Sequence, residues 1–258
     1  MKWISIENYG AMSRYGAERL FSVISAKLAA GQAVNVGMAT GNTMIKLYAV
    51  LAGMLNRSGL ELAKLFTFNL DEYVSADGKN LACDQPLSYR KYMTENFFNL
   101  IDPATGFKHE NMFFPDAAAP ADYDILIAQR GGLDIQLLGI GFNGHIGFNE
   151  PIDAAKISPE DFAALPSHVV ELDGLTLQTN AALTAGNDLS QVPSRAVTMG
   201  MSSILKAKEI ILLACFAEQT TPLQAIKSGE ITPELPASFL LEHKAADIVY
   251  TEDKIKLD

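Results

Sequence analysis

The chain has 258 residues, 48% of them hydrophobic, which is enough for one sizeable α/β core. A formal net charge of −10, with no Lys/Arg run longer than two, argues against a nucleic-acid or anionic-membrane surface, and no apolar stretch approaches a membrane span of about 18 residues. Cys83 and Cys215 stand far apart with only 4 histidines in the chain, which argues against a zinc site and a disulfide framework.

The N-terminus, MKWISIENYG, has no apolar signal core, so a cytoplasmic protein is expected. Trp3 to Asn8 reads as a short strand. Ala17, Leu20, Phe21, Ile24 and Leu28 then recur at helical spacing and end at Gly31. Ala33 to Met38 is a second apolar strand, running into Thr40-Gly41-Asn42-Thr43. Met44, Leu47, Tyr48, Leu51 and Leu55 mark one face of the next helix. Leu65 to Leu70 is a third strand, ending on Asp71-Glu72-Tyr73. Residues 74–85 read as a polar loop. Pro86 suits a helix start, with Tyr89, Tyr92, Met93 and Phe97 on its apolar side. Residues 101–120 read as mostly irregular, and Ala121 to Arg130 as a helix stopped by Gly131-Gly132.

Leu137 to Pro151, LLGIGFNGHIGFNEP, is an apolar strand with a glycine-rich exit that carries Asn143, His145, Asn149 and Glu150. Residues 151–166 are polar and alanine-rich, with Pro159 inside, and read as a mobile flap with one helical turn. Further strands are expected at His168 to Leu172, Ala196 to Met199, Glu209 to Ala214 and Ile248 to Thr251. Helices are expected at Leu175 to Leu183, at Ser202 to Leu205 and from Thr221-Pro222 to Gly229. Strands alternate with helices, without a repeat or a linker. This predicts one α/β domain over residues 1–258, built on a mostly parallel sheet.

Three strand ends carry polar residues. Thr40 to Thr43 suits a phosphate or carboxylate cradle at a helix N-terminus, although Thr and Asn also cap ordinary helices. Asp71-Glu72 suits a general base beside a structural acceptor, or a solvated loop pair or a helix cap. His145 with Glu150 suits a proton relay, or a satisfied loop histidine. Together they describe a pocket fit for enolisation of a sugar phosphate, with no cofactor and no metal called for.

These residues also carry a family resemblance. TFNLDEY at Thr67 to Tyr73, GMATGNT at Gly37 to Thr43 and LGIGFNGHIGFNEP at Leu138 to Pro151 resemble the glucosamine-6-phosphate deaminase family. AVTMG at Ala196 to Gly200 and PASFLLEH at Pro236 to His243 agree. The related 6-phosphogluconolactonases share the glycines and the histidine but not the FNEP, and the galactosamine-6-phosphate deaminase/isomerase branch is also similar. The resemblance implies a Rossmann-like three-layer α/β fold around a mostly parallel sheet, with a flap at about 151–186. It implies conversion of an amino-sugar 6-phosphate to a ketose 6-phosphate with release of ammonia, without a cofactor. Carried over by position, His145 opens the sugar ring, with Glu150 and Asn143 behind it, and Asp71 moves the proton from carbon 2 to carbon 1. Thr40, Gly41, Asn42 and Thr43 hold the phosphate, and Gly144 joins the substrate-binding residues. The implied partner is a small sugar phosphate, with neither nucleic acid nor membrane. A homo-oligomer stays open, because family members range from monomers to hexamers.

The chain departs from the family pattern in places. Asn143 stands where many members carry Asp, and an amide can orient His145 but bears no charge. A TRxANxR-like segment falls on Leu177 to Leu183, so Gln178 and Leu183 stand at its two arginine positions. Gln219 stands where a phosphate-binding lysine is expected. Lys46 and Arg195 are the candidate replacements. The flap lacks the basic residues of the allosteric branch, so that regulation is not expected. Retention of Asp71, His145 and Glu150 favours an enzyme. The replaced cations favour another substrate or a non-catalytic sugar-phosphate-binding module.

Overall fold

The computed structural model describes residues 1–257. Helix α1 (Tyr9–Ala29) starts well before its apolar spacing becomes visible, because the Asn8 side chain accepts a hydrogen bond from the Ala11 N–H at 3.0 Å. Strands β1 (Lys2–Ile6), β2 (Val34–Met38) and β3 (Leu65–Asn69) fall where the apolar runs predict them, with α2 (Ile45–Arg57) between β2 and β3. After β3 the chain forms β4 (Asp71–Val74), α3 (Tyr89–Asn96), β5 (Met112–Phe113), α4 (Pro120–Gln129) and β6 (Ile135–Leu138). It continues through α5 (Pro159–Ala163), β7 (His168–Glu171), α6 (Gly174–Thr184), β8 (Arg195–Thr198) and α7 (Met201–Leu205). It closes with β9 (Ile210–Ala214), α8 (Thr220–Lys227) and β10 (Ala246–Thr251).

Seven strands make one wholly parallel sheet in the order β1-β10-β9-β6-β2-β3-β5. Its central strands are buried along their length and read as continuous apolar runs, as parallel strands covered on both faces do. Helix α1 packs against α2, β2, β9 and β10. The remaining strands form a second, antiparallel sheet, β4-β8-β7.

Several sequence expectations are corrected here. The solvated-pair alternative for Asp71-Glu72 does not hold, because both lie in β4, which also takes Val74 out of the loop expected at 74–85. Leu70 is the link, donating its N–H to Met38 O at 3.0 Å in the parallel sheet and accepting from Met199 N in the other at 2.6 Å. Helix α3 starts at Tyr89 rather than Pro86, because Ser88 Oγ accepts from Lys91 N at 3.2 Å and caps it. Residues 101–120 include β5, too short for a period to register, paired with β3. The one helical turn expected within residues 151–166 is α5, and Pro159 occupies its first turn, where a missing N–H costs nothing. Within residues 151–186, Phe162 is fully buried and stacks on Phe239 at 5.2 Å. No helix among the described residues is long and apolar enough to cross a membrane.

Candidate active site

Four adjacent strands, β9-β6-β2-β3, end together and send their exit loops into one cleft. In open α/β sheets ligands bind at the carboxyl ends of strands, where the chain's order reverses. Here β2 leads outward to β3 on one side, and the chain returns to β6 on the other. The cleft encloses about 860 Å³, counting the space open to solvent at its mouth. It is lined by Thr40, Gly41, Asn42 and Thr43 after β2, Asp71 after β3, Asn143 and His145 after β6, and Phe216 and Gln219 after β9. Thr176, Thr179, Asn180 and Leu183 of α6 form a further wall.

The Thr40–Thr43 turn relies on Gly41, whose φ of +110° is closed to most side chains. Tyr92 Oη donates to Gly41 O at 2.7 Å, Tyr9 Oη accepts from Lys46 N in the first turn of α2 at 3.2 Å, and Thr43 and Met44, which lead into that helix, line the cleft, so the positive end of α2 lies beside it.

Asp71 and Glu72 point to opposite sides of β4, as successive strand residues must. The Glu72 carboxylate accepts from Tyr73 N, Ser88 Oγ, Tyr89 N and Arg90 N, each at 2.9 Å, and so ties β4 to the start of α3. Asp71 faces the cleft. It is 5% exposed, and its Oδ1 has no hydrogen-bond partner. Burial, and then the neighbouring Glu72 carboxylate, push its pKa well above the ordinary 3.8.

Across the cleft, His145 Nδ1 lies 3.3 Å from Glu150 Oε2 and 3.2 Å from Thr176 Oγ1. The Asn143 amide donates to Glu150 Oε2 at 2.8 Å, and its Oδ1 accepts from His145 N at 3.2 Å. Glu150 is 7% exposed and stands behind the imidazole rather than in the cleft wall. Burial opposes its ionisation, but the hydrogen bond and charge of His145, with the Asn143 amide, hold its pKa below the ordinary 4.5. A carboxylate on Nδ1 fixes the ring so that Nε2 is the atom left for chemistry.

Gly144 is brought to the loop but not to the cleft lining. Its N–H donates to Gly141 O and its carbonyl accepts from Ala237 N, each at 3.0 Å, so it shapes the turn that carries His145. Thr176 and Tyr89 were not singled out from the sequence. Thr176 looks like any threonine of a weakly patterned helix, and Tyr89 like the apolar side of α3, yet Thr176 touches His145 and both line the cleft. Thr198 was missed as well. It pairs with Asp71 across β4 and β8, and its Oγ1 accepts from Phe148 N at 3.0 Å, joining the Asp71 and His145 halves.

No family model matches the chain. The chain is 35% identical over 263 residues to a glucosamine-6-phosphate deaminase of Clostridium perfringens, covering 100% of this chain and 99% of that protein. It is 39% identical over 256 residues to one of Lysinibacillus sphaericus, covering 97% and 98%. A solved structure of a monomeric glucosamine-6-phosphate deaminase superposes with a TM-score of 0.85 at 32% identity, covering 98% of each chain. The chain belongs to the glucosamine-6-phosphate deaminase family. A 6-phosphogluconolactonase from Thermotoga maritima shares the fold, with a TM-score of 0.69 at 16% identity over 97% of this chain and 98% of that one.

For a member of the glucosamine-6-phosphate deaminase family, the cleft is short of positive charge. Leu183 lines it and is 43% exposed, whereas Gln178 is exposed and lies outside the lining. Gln219 is buried and already bonded. Its Oε1 accepts from Cys215 N at 2.8 Å and Phe216 N at 2.9 Å, and its Nε2 donates to Ile140 O at 2.7 Å. Neither candidate replacement reaches the cleft. Lys46 borders a separate hollow with Asn8 and Arg14, and Arg195 Nε lies 3.7 Å from Glu171 Oε1 on β7. Among the described residues, no Lys or Arg lines the cleft.

Proposed function

We propose that this chain converts an amino-sugar 6-phosphate, glucosamine-6-phosphate in the first instance, to the ketose 6-phosphate and ammonia. The observation that carries this is two proton-transfer groups facing one cleft: Asp71, with a buried unpartnered oxygen, and His145, backed by Glu150. The family relatives, named as glucosamine-6-phosphate deaminases, support the same chemistry. His145 opens the pyranose by proton transfer at the ring oxygen, with Glu150 and Asn143 stabilising and orienting its ring. Asp71 takes the proton from carbon 2 and returns it at carbon 1. Water then adds at carbon 2 and the nitrogen leaves as ammonia. Thr40 to Thr43 receive the phosphate through backbone N–H groups and hydroxyls. Residues 1–258 serve as one domain, with 151–186 as the segment that covers the site, and the reaction runs in the cytoplasm.

The test is incubation of the purified chain with glucosamine-6-phosphate and, in parallel, galactosamine-6-phosphate, measuring ammonia and ketose phosphate. Turnover lost in Asp71→Asn is expected. Saturable binding of both sugars without ammonia release would overturn the enzyme in favour of a binding module.

A further inference from the structure

We infer that the cleft also deaminates the corresponding hexosamine without a 6-phosphate, because neutral side chains, Leu183 and Gln219 among them, stand on its wall and, among the described residues, no Lys or Arg lines it. This rests on the deaminase reading above. A phosphate dianion leaving water normally gains charge-assisted bonds about twice as strong as neutral ones, and those bonds separate a phosphorylated sugar from its parent. No Lys or Arg among the described residues offers one here, which leaves only the backbone N–H groups of the Thr40–Thr43 turn. His145 Nδ1 is already engaged by Glu150 at 3.3 Å. The Gln219 amide is held by three hydrogen bonds within the fold. Leu175 and Leu183, 44% and 43% exposed, put apolar surface on the wall formed by α6. Asp71 adds a carboxylate, and the net charge of −10 does not gather anions from solution.

What remains at the Thr40–Thr43 turn is a set of hydroxyl, amide and backbone groups. These can hydrogen-bond to a sugar hydroxyl as well as to a phosphate oxygen. The chemical step does not involve carbon 6. The bond from carbon 2 to hydrogen breaks and one from carbon 1 to hydrogen forms. Carbon 2 is oxidised while carbon 1 is reduced, water supplies the ketone oxygen, and the nitrogen leaves as ammonia. Glucosamine and water thus balance against fructose and ammonia.

The experiment compares kcat/KM for ammonia release from glucosamine-6-phosphate and from glucosamine, in the wild type and in Leu183→Arg. The expected wild-type ratio is within about a hundredfold, since no Lys or Arg separates the two sugars and backbone N–H groups alone distinguish them. Leu183→Arg, at an exposed position that tolerates the change, should raise the ratio by about tenfold or more. A wild-type preference of about a thousandfold or more for the phosphorylated sugar would overturn the inference and leave the deaminase reading standing. A ratio unmoved by Leu183→Arg would overturn the role given to the neutral wall. Release of ammonia from neither sugar would overturn the deaminase reading itself, and this inference with it.

Discussion

The imidazole of His145 lies so close over the Gly141 α-carbon that a Cβ at position 141 would sit 2.3 Å from His145 Cε1 and 2.5 Å from both ring nitrogens. Glycine at 141 is therefore a requirement of the histidine's position. The ring rests on bare backbone, with Glu150 and Thr176 on Nδ1. Gly141→Ala should push the ring off Glu150 and lower kcat by about a hundredfold, in the range of a lost general acid–base. KM should change little, because Thr40 to Thr43 are untouched. Steady-state kinetics on glucosamine-6-phosphate check this, and an unchanged kcat would separate His145 from the chemistry.

Asp71 yields a prediction in which activity and stability move in opposite directions. Its pKa is raised in the folded chain, so folding is favoured while it is protonated, and that contribution is lost as pH rises from 3.8 toward the folded value. Asp71→Asn should lower kcat by about 10²–10⁴-fold. It should also raise the neutral-pH Tm by a few degrees, at about 2–4 °C per kcal/mol. The Tm gain should shrink as pH falls toward 3.8. In the wild type, the acid limb of the kcat/KM profile should lie well above that value. Calorimetry across pH and a pH–rate profile measure both.

Glu150 has the opposite sign. Its pKa is lowered, so the stability it adds is present above 4.5 and lost as pH falls through its folded value. Glu150→Gln keeps the shape but removes the charge beside His145 Nδ1. A fall in kcat of about 10–100-fold is expected, as for outer-sphere partners of a working histidine, with ring opening the step affected. Supplying substrate already in the open-chain form should recover much of that loss. Equal losses on both forms would contradict the assignment.

Gln219 joins the β9 exit to the β6 exit through its three hydrogen bonds. Gln219→Leu leaves Cys215 N, Phe216 N and Ile140 O without these partners, at a cost of about 2–4 kcal/mol. Urea unfolding should therefore show a lower midpoint with an unchanged m-value. A midpoint within error of the wild type would mean that water replaces the amide.

Much of the site was legible in the chain because its signals are local. An apolar run followed by Gly139, Gly141 and Gly144, and polar residues directly after β2, β3 and β6, are read without knowing which strands are neighbours. Periodicity and glycine placement located nearly every element of the parallel sheet for the same reason. Tertiary structure decided the rest. The antiparallel pairing of β4 with β8 turned Asp71-Glu72 from a loop pair into two carboxylates on opposite faces of a strand. One was capped into the fold by four donors, and the other was left facing the cleft. Thr176 reaches His145 across a separation of 31 residues, and Gln219 reaches Ile140 across 79. No local pattern records such pairings, because a side chain's partner is set by how distant segments pack. Only packing could decide that Gln219 is a strut, that Lys46 and Arg195 stay outside, and that the end of the cleft formed by Leu183 is neutral.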